Sequence, residues 1–86
     1  MQSCTLYALS TCSHCKKTKS LLEELAVSMN CIYVDTLEGT ERQNAIATVK
    51  KVNPKVSFPT VVFENCDKVI VGFEPEEIRE FVGNGQ

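Results

Sequence analysis

Two cysteines separated by two residues, Cys12 and Cys15, stand where a strand-like run meets an amphipathic helix, and that junction constrains the fold more than any other feature. Ser3 to Leu9 reads as a strand and ends at Ser10-Thr11, both good helix-capping types. Thr18, Leu21, Leu22, Leu25 and Met29 recur at spacings of three and four, which predicts one apolar helical face with Asn30 as its stop. Cys31 to Asp35 then reads as a second strand. A βαβ unit of this kind implies parallel pairing through a right-handed crossover.

The rest of the chain completes a sheet. Gly39 breaks the chain, and Thr40 with Gln43 forms a capping-box pattern. Ala45, Ile46, Val49 and Val52 predict a second amphipathic helix, ended at Asn53 because Pro54 keeps it from helical angles. Thr60–Phe63 and Lys68–Val71 are β-branched runs separated by Asn65-Cys66-Asp67, an antiparallel hairpin. Pro75 suits the first turn of a last helix, with Glu74, Glu76 and Glu77 favoured by its dipole. Ile78, Phe81 and Val82 form its buried side, and Gly83 is its stop. The order β-α-β-α-β-β-α predicts an α/β fold, a four-stranded mixed sheet covered by helices. One domain spans residues 1–86.

Composition excludes several functions. A net charge of −2 gives no basic surface for nucleic acid or anionic membrane. No apolar run approaches a bilayer span, and Met1-Gln2-Ser3-Cys4 does not open a secretory signal. Five cysteines, an odd number, argue against a secreted disulfide framework. A cytoplasmic monomer is expected, and in that reducing compartment a close cysteine pair is catalytic or metal-binding.

Thr11-Cys12-Ser13-His14-Cys15-Lys16-Lys17 has a physical logic. At a helix N-terminus, free backbone N–H groups and the macrodipole favour a thiolate. The thiolate is the nucleophile, so Cys12 is the attacking residue. Cys15, about one turn on, is placed to resolve a mixed disulfide. A zinc site is the bland rival, but structural zinc takes about four ligands. Only His14 and the scattered Cys4, Cys31 and Cys66 are available, none as a second close pair. No metal is expected.

Cys12-Ser13-His14-Cys15 after the first strand, Ser57-Phe58-Pro59-Thr60, and Val71-Gly72-Phe73-Glu74-Pro75 before the last helix resemble the glutaredoxins, within the thioredoxin-like fold. The resemblance spans essentially the whole chain. It implies a dithiol–disulfide oxidoreductase acting on protein disulfides, with no bound cofactor. It also implies a cis bond before Pro59, where a turn proline would otherwise be the reading. Ser13, His14, Phe58, Pro59, Gly72 and Phe73 are the substrate-binding residues it implies. The Gly72-Phe73-x-Pro75 turn and Lys19 are similar to the NrdH-type redoxins. That branch implies reduction by a flavoprotein disulfide reductase and electron donation to enzymes such as ribonucleotide reductase. Glutathione is the alternative reductant, in a deglutathionylating glutaredoxin. The pattern that holds it in typical members is altered here: Leu9 replaces a lysine, Ser57-Phe58 replaces Thr-Val, and Phe73 replaces a glycine. Ser13 also keeps an iron–sulfur carrier among the alternatives.

Other residues carry weaker expectations. A charged His14 would favour the Cys12 thiolate; otherwise it is a solvated residue touching substrates. Lys16 is the preferred thiolate neighbour, and Lys17 and Lys19 extend a basic cluster. Cys4 and Cys31 are expected to be buried as small apolar residues. Cys66 is expected to be exposed in the hairpin turn. Tyr7 and Tyr33 follow strand alternation and are read as structural.

Overall fold

Along the first strand, β1 (Ser3–Ala8), successive side chains point to opposite faces of the sheet. Cys4, Leu6 and Ala8 enter one buried cluster and Tyr7 another, so both faces need cover. The computed structural model describes residues 3–64 and 68–84. After β1 come α1 (Ser13–Glu24), β2 (Ser28–Tyr33), a 3-10 turn over Val34–Thr36, α2 (Gly39–Val52), β3 (Thr60–Phe63), β4 (Lys68–Val71) and α3 (Pro75–Asn84). The four strands lie in the order β2-β1-β3-β4. β1 is parallel to β2 and antiparallel to β3, and β3 is antiparallel to β4. This is the α/β fold with a four-stranded mixed sheet that the sequence predicts.

Leu21, Leu22 and Cys15 of α1 and Ile78 of α3 pack with Val61, Phe63 and Ile70 on the Leu6 face. The rings of Phe63 and Phe81 lie 4.6 Å apart there. Ala45 and Val49 of α2 cover Tyr7 and Val34 on the opposite face. The functional loops therefore emerge at the end of β1 and the start of β3, between two filled layers.

Several boundaries differ from the sequence reading. Helix α1 ends at Glu24, and Met29 and Asn30 belong to β2, which begins at Ser28 instead of Cys31. The stop is a left-handed residue, Ala26, at φ +59°. Its N–H bonds to the Glu23 carbonyl, and that of Val27 to Leu22, each at 3.0 Å. This is a Schellman closure with alanine where glycine is usual. The α1 cap is Cys12, not Ser10 or Thr11. At α2 the cap position is Glu38, without a side-chain bond, so Thr40 falls inside the first turn and the Thr40–Gln43 box does not form. Val52 is 38% exposed because the chain leaves the helix at Asn53, which takes the buried place. Cys4 is buried, whereas Cys31 keeps part of its surface exposed on β2, an edge strand. Helix α3 continues one residue past Gly83. The hairpin turn with Cys66 lies outside the described residues.

A non-glycine left-handed residue costs about 1–2 kcal/mol. Ala26→Gly is therefore expected to stabilise the chain by about 1 kcal/mol, after the entropy glycine loses on folding. For a domain of this size that raises the thermal midpoint by roughly 4–8 °C. An unchanged or lower midpoint in a calorimetric comparison would count against the closure described here.

Candidate active site

Cys12 is the N-cap of α1, with extended backbone angles of φ −86° and ψ 121°. Its Sγ accepts the backbone N–H of Cys15 at 3.3 Å. The sulfur thus does the work that a serine or aspartate oxygen does at an ordinary helix start. A sulfur carrying negative charge accepts that bond best. The Cys12 thiol is held below its usual pKa, first by a hydrogen bond from the Cys15 side chain, then by the backbone N–H groups of Cys15 and His14. Neither the His14 ring nor the Lys16 ammonium is among these causes. Both side chains are exposed.

Cys15 differs in every respect. It is 1% exposed, and burial pushes its thiol up to about 11. The Leu9 N–H at 3.5 Å partly offsets this. Leu9, which stands where a lysine is common in glutathione-binding glutaredoxins, thus serves the buried sulfur through its backbone. One cysteine is accessible and easily ionised; the other is buried and protonated.

The loop between β1 and α1 is fastened from outside. Ser10 donates its N–H to Asp35 Oδ1 at 3.0 Å and its hydroxyl to Oδ2 at 2.6 Å. These bonds hold the Asp35 carboxyl below its usual range. The Cys12 N–H then bonds to the Leu9 carbonyl at 3.2 Å, closing the turn. Sequence reasoning missed Asp35, whose only signal was a carboxylate at the end of the second strand.

The Phe58–Pro59 bond is cis, as the resemblance implies. The segment carrying it is held by Asn53, which is 6% exposed. Asn53 Nδ2 lies 3.2 Å from the Ser57 carbonyl, 3.0 Å from the Ser57 hydroxyl and 3.2 Å from Thr60 Oγ1. Thr60 donates to the Ser57 carbonyl at 2.7 Å. Within this loop Val56 sits at φ +50°, an unfavourable angle for a β-branched residue. Asn53 was read only as a helix stop, and Val56 carried no signal.

The three sequence motifs meet at this end of the sheet. Pro59 is fully buried, and its carbonyl accepts the Gly72 N–H at 2.8 Å. Gly72 has φ +85°, an angle that favours glycine. Cys12, Phe58 and Phe73 are part-buried and pack on the same core cluster. The Phe73 ring lies 6.3 Å from that of His14, centroid to centroid. Ser13 is exposed beside them. Among the described residues, no group of three or more His, Cys, Asp or Glu side chains is placed to hold a metal ion. No helix among them is long and apolar enough to cross a membrane.

A Cys-x-x-Cys pair at the start of the first helix, set against a four-stranded mixed sheet and a cis-proline, defines the thioredoxin-like class of disulfide oxidoreductases. The family model described as Glutaredoxin matches residues 4–66. The glutaredoxin of Methanosarcina mazei Go1 is 51% identical, with TM-score 0.85, covering 94% of this chain and 78% of its own. Methanoredoxin of Methanosarcina acetivorans is 49% identical, with TM-score 0.88, covering 94% and 84%. The chain belongs to the glutaredoxin family and is a glutaredoxin-type thiol–disulfide oxidoreductase. No curated protein matches it. NrdH-redoxin of Escherichia coli is 23% identical, with TM-score 0.71, covering 91% of this chain and 92% of its own. That likeness shows the fold alone.

The cap separates two roles of Cys12. A serine oxygen at the same place still accepts the Cys15 N–H, whereas alanine leaves it without that partner. Cys12→Ser is expected to keep wild-type stability within about 0.5 kcal/mol, and Cys12→Ala to lose about 1 kcal/mol. Both lose activity. Equal stability of the two variants in urea titrations would show that the sulfur does not cap the helix.

Proposed function

We propose that Cys12 is the attacking nucleophile and Cys15 the resolving thiol in the reduction of protein disulfides. The opposed environments of the two sulfurs carry this reading: Cys12 lowered by hydrogen bonds, Cys15 raised to about 11 by burial. The Cys12 thiolate attacks one sulfur of a substrate disulfide, that bond breaks, and the other substrate sulfur leaves and takes a proton. Cys15 then loses its proton and attacks the Cys12 sulfur of the mixed disulfide. The second substrate sulfur leaves as a thiol. The substrate has gained two electrons and two protons, and Cys12–Cys15 is a disulfide.

Ser13, His14, Phe58, Gly72 and Phe73 form the surface that receives the substrate, with Pro59 buried beneath it and shaping its backbone. The backbone beside Phe58 is suited to pairing with an extended chain, since Pro59 offers no N–H of its own. Lys16 lies one turn past the nucleophile and adds positive potential at this surface. The electron source we favour is a flavoprotein disulfide reductase rather than glutathione. Its support is the altered glutathione pattern, in which Leu9, Ser57-Phe58 and Phe73 replace the familiar contacts. Ribonucleotide reductase is one enzyme a donor of this kind serves, an assignment supported by the Gly72-to-Pro75 turn. The reducing cytoplasm is the compartment, and the working unit is a monomer.

Alkylation at graded pH, read by mass spectrometry, tests the roles. As pH rises, Cys12 is expected to react first, since its lowered pKa yields thiolate before Cys15, whose own lies near 11. Cys15→Ser is expected to accumulate a mixed disulfide at Cys12. First alkylation at Cys15 would reverse the assignment.

A second measurement addresses the reductant. The oxidised protein is incubated with glutathione alone, or with a thioredoxin-reductase-type flavoenzyme and its nicotinamide donor. Faster return of the dithiol with the flavoenzyme is expected. Equal or faster return with glutathione would overturn that part of the proposal.

A further inference from the structure

A groove of about 360 Å³ runs between α1 and α3, beginning at Phe73. Lys16, Lys17, Leu21, Glu24 and Arg79 line it together with that ring. Its mouth adjoins the nucleophile. The Lys16 N–H bonds to the Cys12 carbonyl at 3.1 Å, and the Phe73 ring is 6.3 Å from His14. Lys17 Nζ sits 6.0 Å from the Phe73 centroid, a cation held over an aromatic face. From Lys17 to Glu24 the floor follows two turns of α1, roughly 10 Å at 1.5 Å per residue. That length accommodates about three residues of extended chain.

The charge of the groove opposes that of the chain. Three cations meet one carboxylate among its lining residues, while the chain as a whole carries −2. The carboxylate, Glu24, pairs with Arg79 at 3.4 Å, both side chains more than half exposed. An exposed pair of this kind contributes little, so an incoming carboxylate can take the place of Glu24 on Arg79. On the outer side of α3, Glu77 is engaged by Lys68 at 3.0 Å.

We propose that this groove selects protein substrates with an acidic segment within about three residues of the disulfide cysteine. The inference rests on the reading of Cys12 as the nucleophile for protein disulfides and names the chemistry of the chain attached there. Carboxylates of the substrate bind Lys16, Lys17 and Arg79, and its apolar atoms cover Phe73 and Leu21. The cations also raise the encounter rate with acidic partners at low salt.

The test uses the full-length protein and three disulfides: a cysteine peptide flanked by aspartates, its counterpart flanked by lysines, and neutral bis(2-hydroxyethyl) disulfide. The acidic peptide is expected to show a KM about threefold to tenfold lower than the basic one, from a few exposed ion pairs. Half-molar salt is expected to remove the difference. Lys17→Gln combined with Arg79→Gln is expected to abolish the preference while reduction of the neutral disulfide is unchanged. Glu24→Gln is expected to strengthen it, a gain that general damage to the fold would not produce. Equal KM for the two peptides in the wild type, or a preference retained by the double variant, overturns the groove. If reduction of the neutral disulfide does not require Cys12, the proposed function fails instead, and the two failures are distinct.

Discussion

The bond from the Cys15 N–H to the Cys12 sulfur is the point on which the site depends. It makes the Cys12 sulfur part of the secondary structure. A helix start needs acceptors for its free N–H groups, and a sulfur meets that need best when ionised. Helix formation and thiolate formation therefore favour each other. No basic side chain has to be desolvated beside the sulfur to reach this result. Cys15 follows from the same geometry: the next turn of α1 carries it into the core cluster against β1, where burial holds its proton in place.

Loops rather than the core carry the remaining precision. The cis-proline segment is tied down by Asn53, and its Pro59 carbonyl is tied to Gly72, so the second and third motifs are fixed to one another. Val56 at φ +50° lies within that tightly bonded stretch. Unfavourable backbone angles persist where surrounding contacts over-determine them, and such places cluster at functional sites. The Asn53 bonds are the contacts that do so here.

Much of this was legible in the sequence because it rests on periodicity. The alternation of β1, the hairpin of Thr60–Phe63 with Lys68–Val71, and the apolar side of α3 all appear where the pattern puts them. The cysteine pair announced its chemistry through its place between a strand and a helix. What escaped were features whose residues do not look like their roles. Alanine at a left-handed helix stop gave no break signal, so Met29 was read as a continued helical face. Ser10 and Thr11 are better known caps than cysteine, yet Ser10 is committed to Asp35. The union of Lys16, Lys17 and Arg79 in one groove requires α1 and α3 to be side by side, which no local pattern states.

The Asp35 clamp on Ser10 has a consequence for how the site meets acid. Its carboxyl is lowered from 3.8 by the Ser10 hydroxyl and N–H. A depressed carboxylate keeps its hydrogen bonds above its ordinary range and loses them only as pH falls through the lowered value. The Cys12 thiol is lowered from 9.0 by hydrogen bonds from Cys15 and His14, and Asp35 is not among the causes. The shape of the loop and the charge of the sulfur therefore answer to separate sets of contacts.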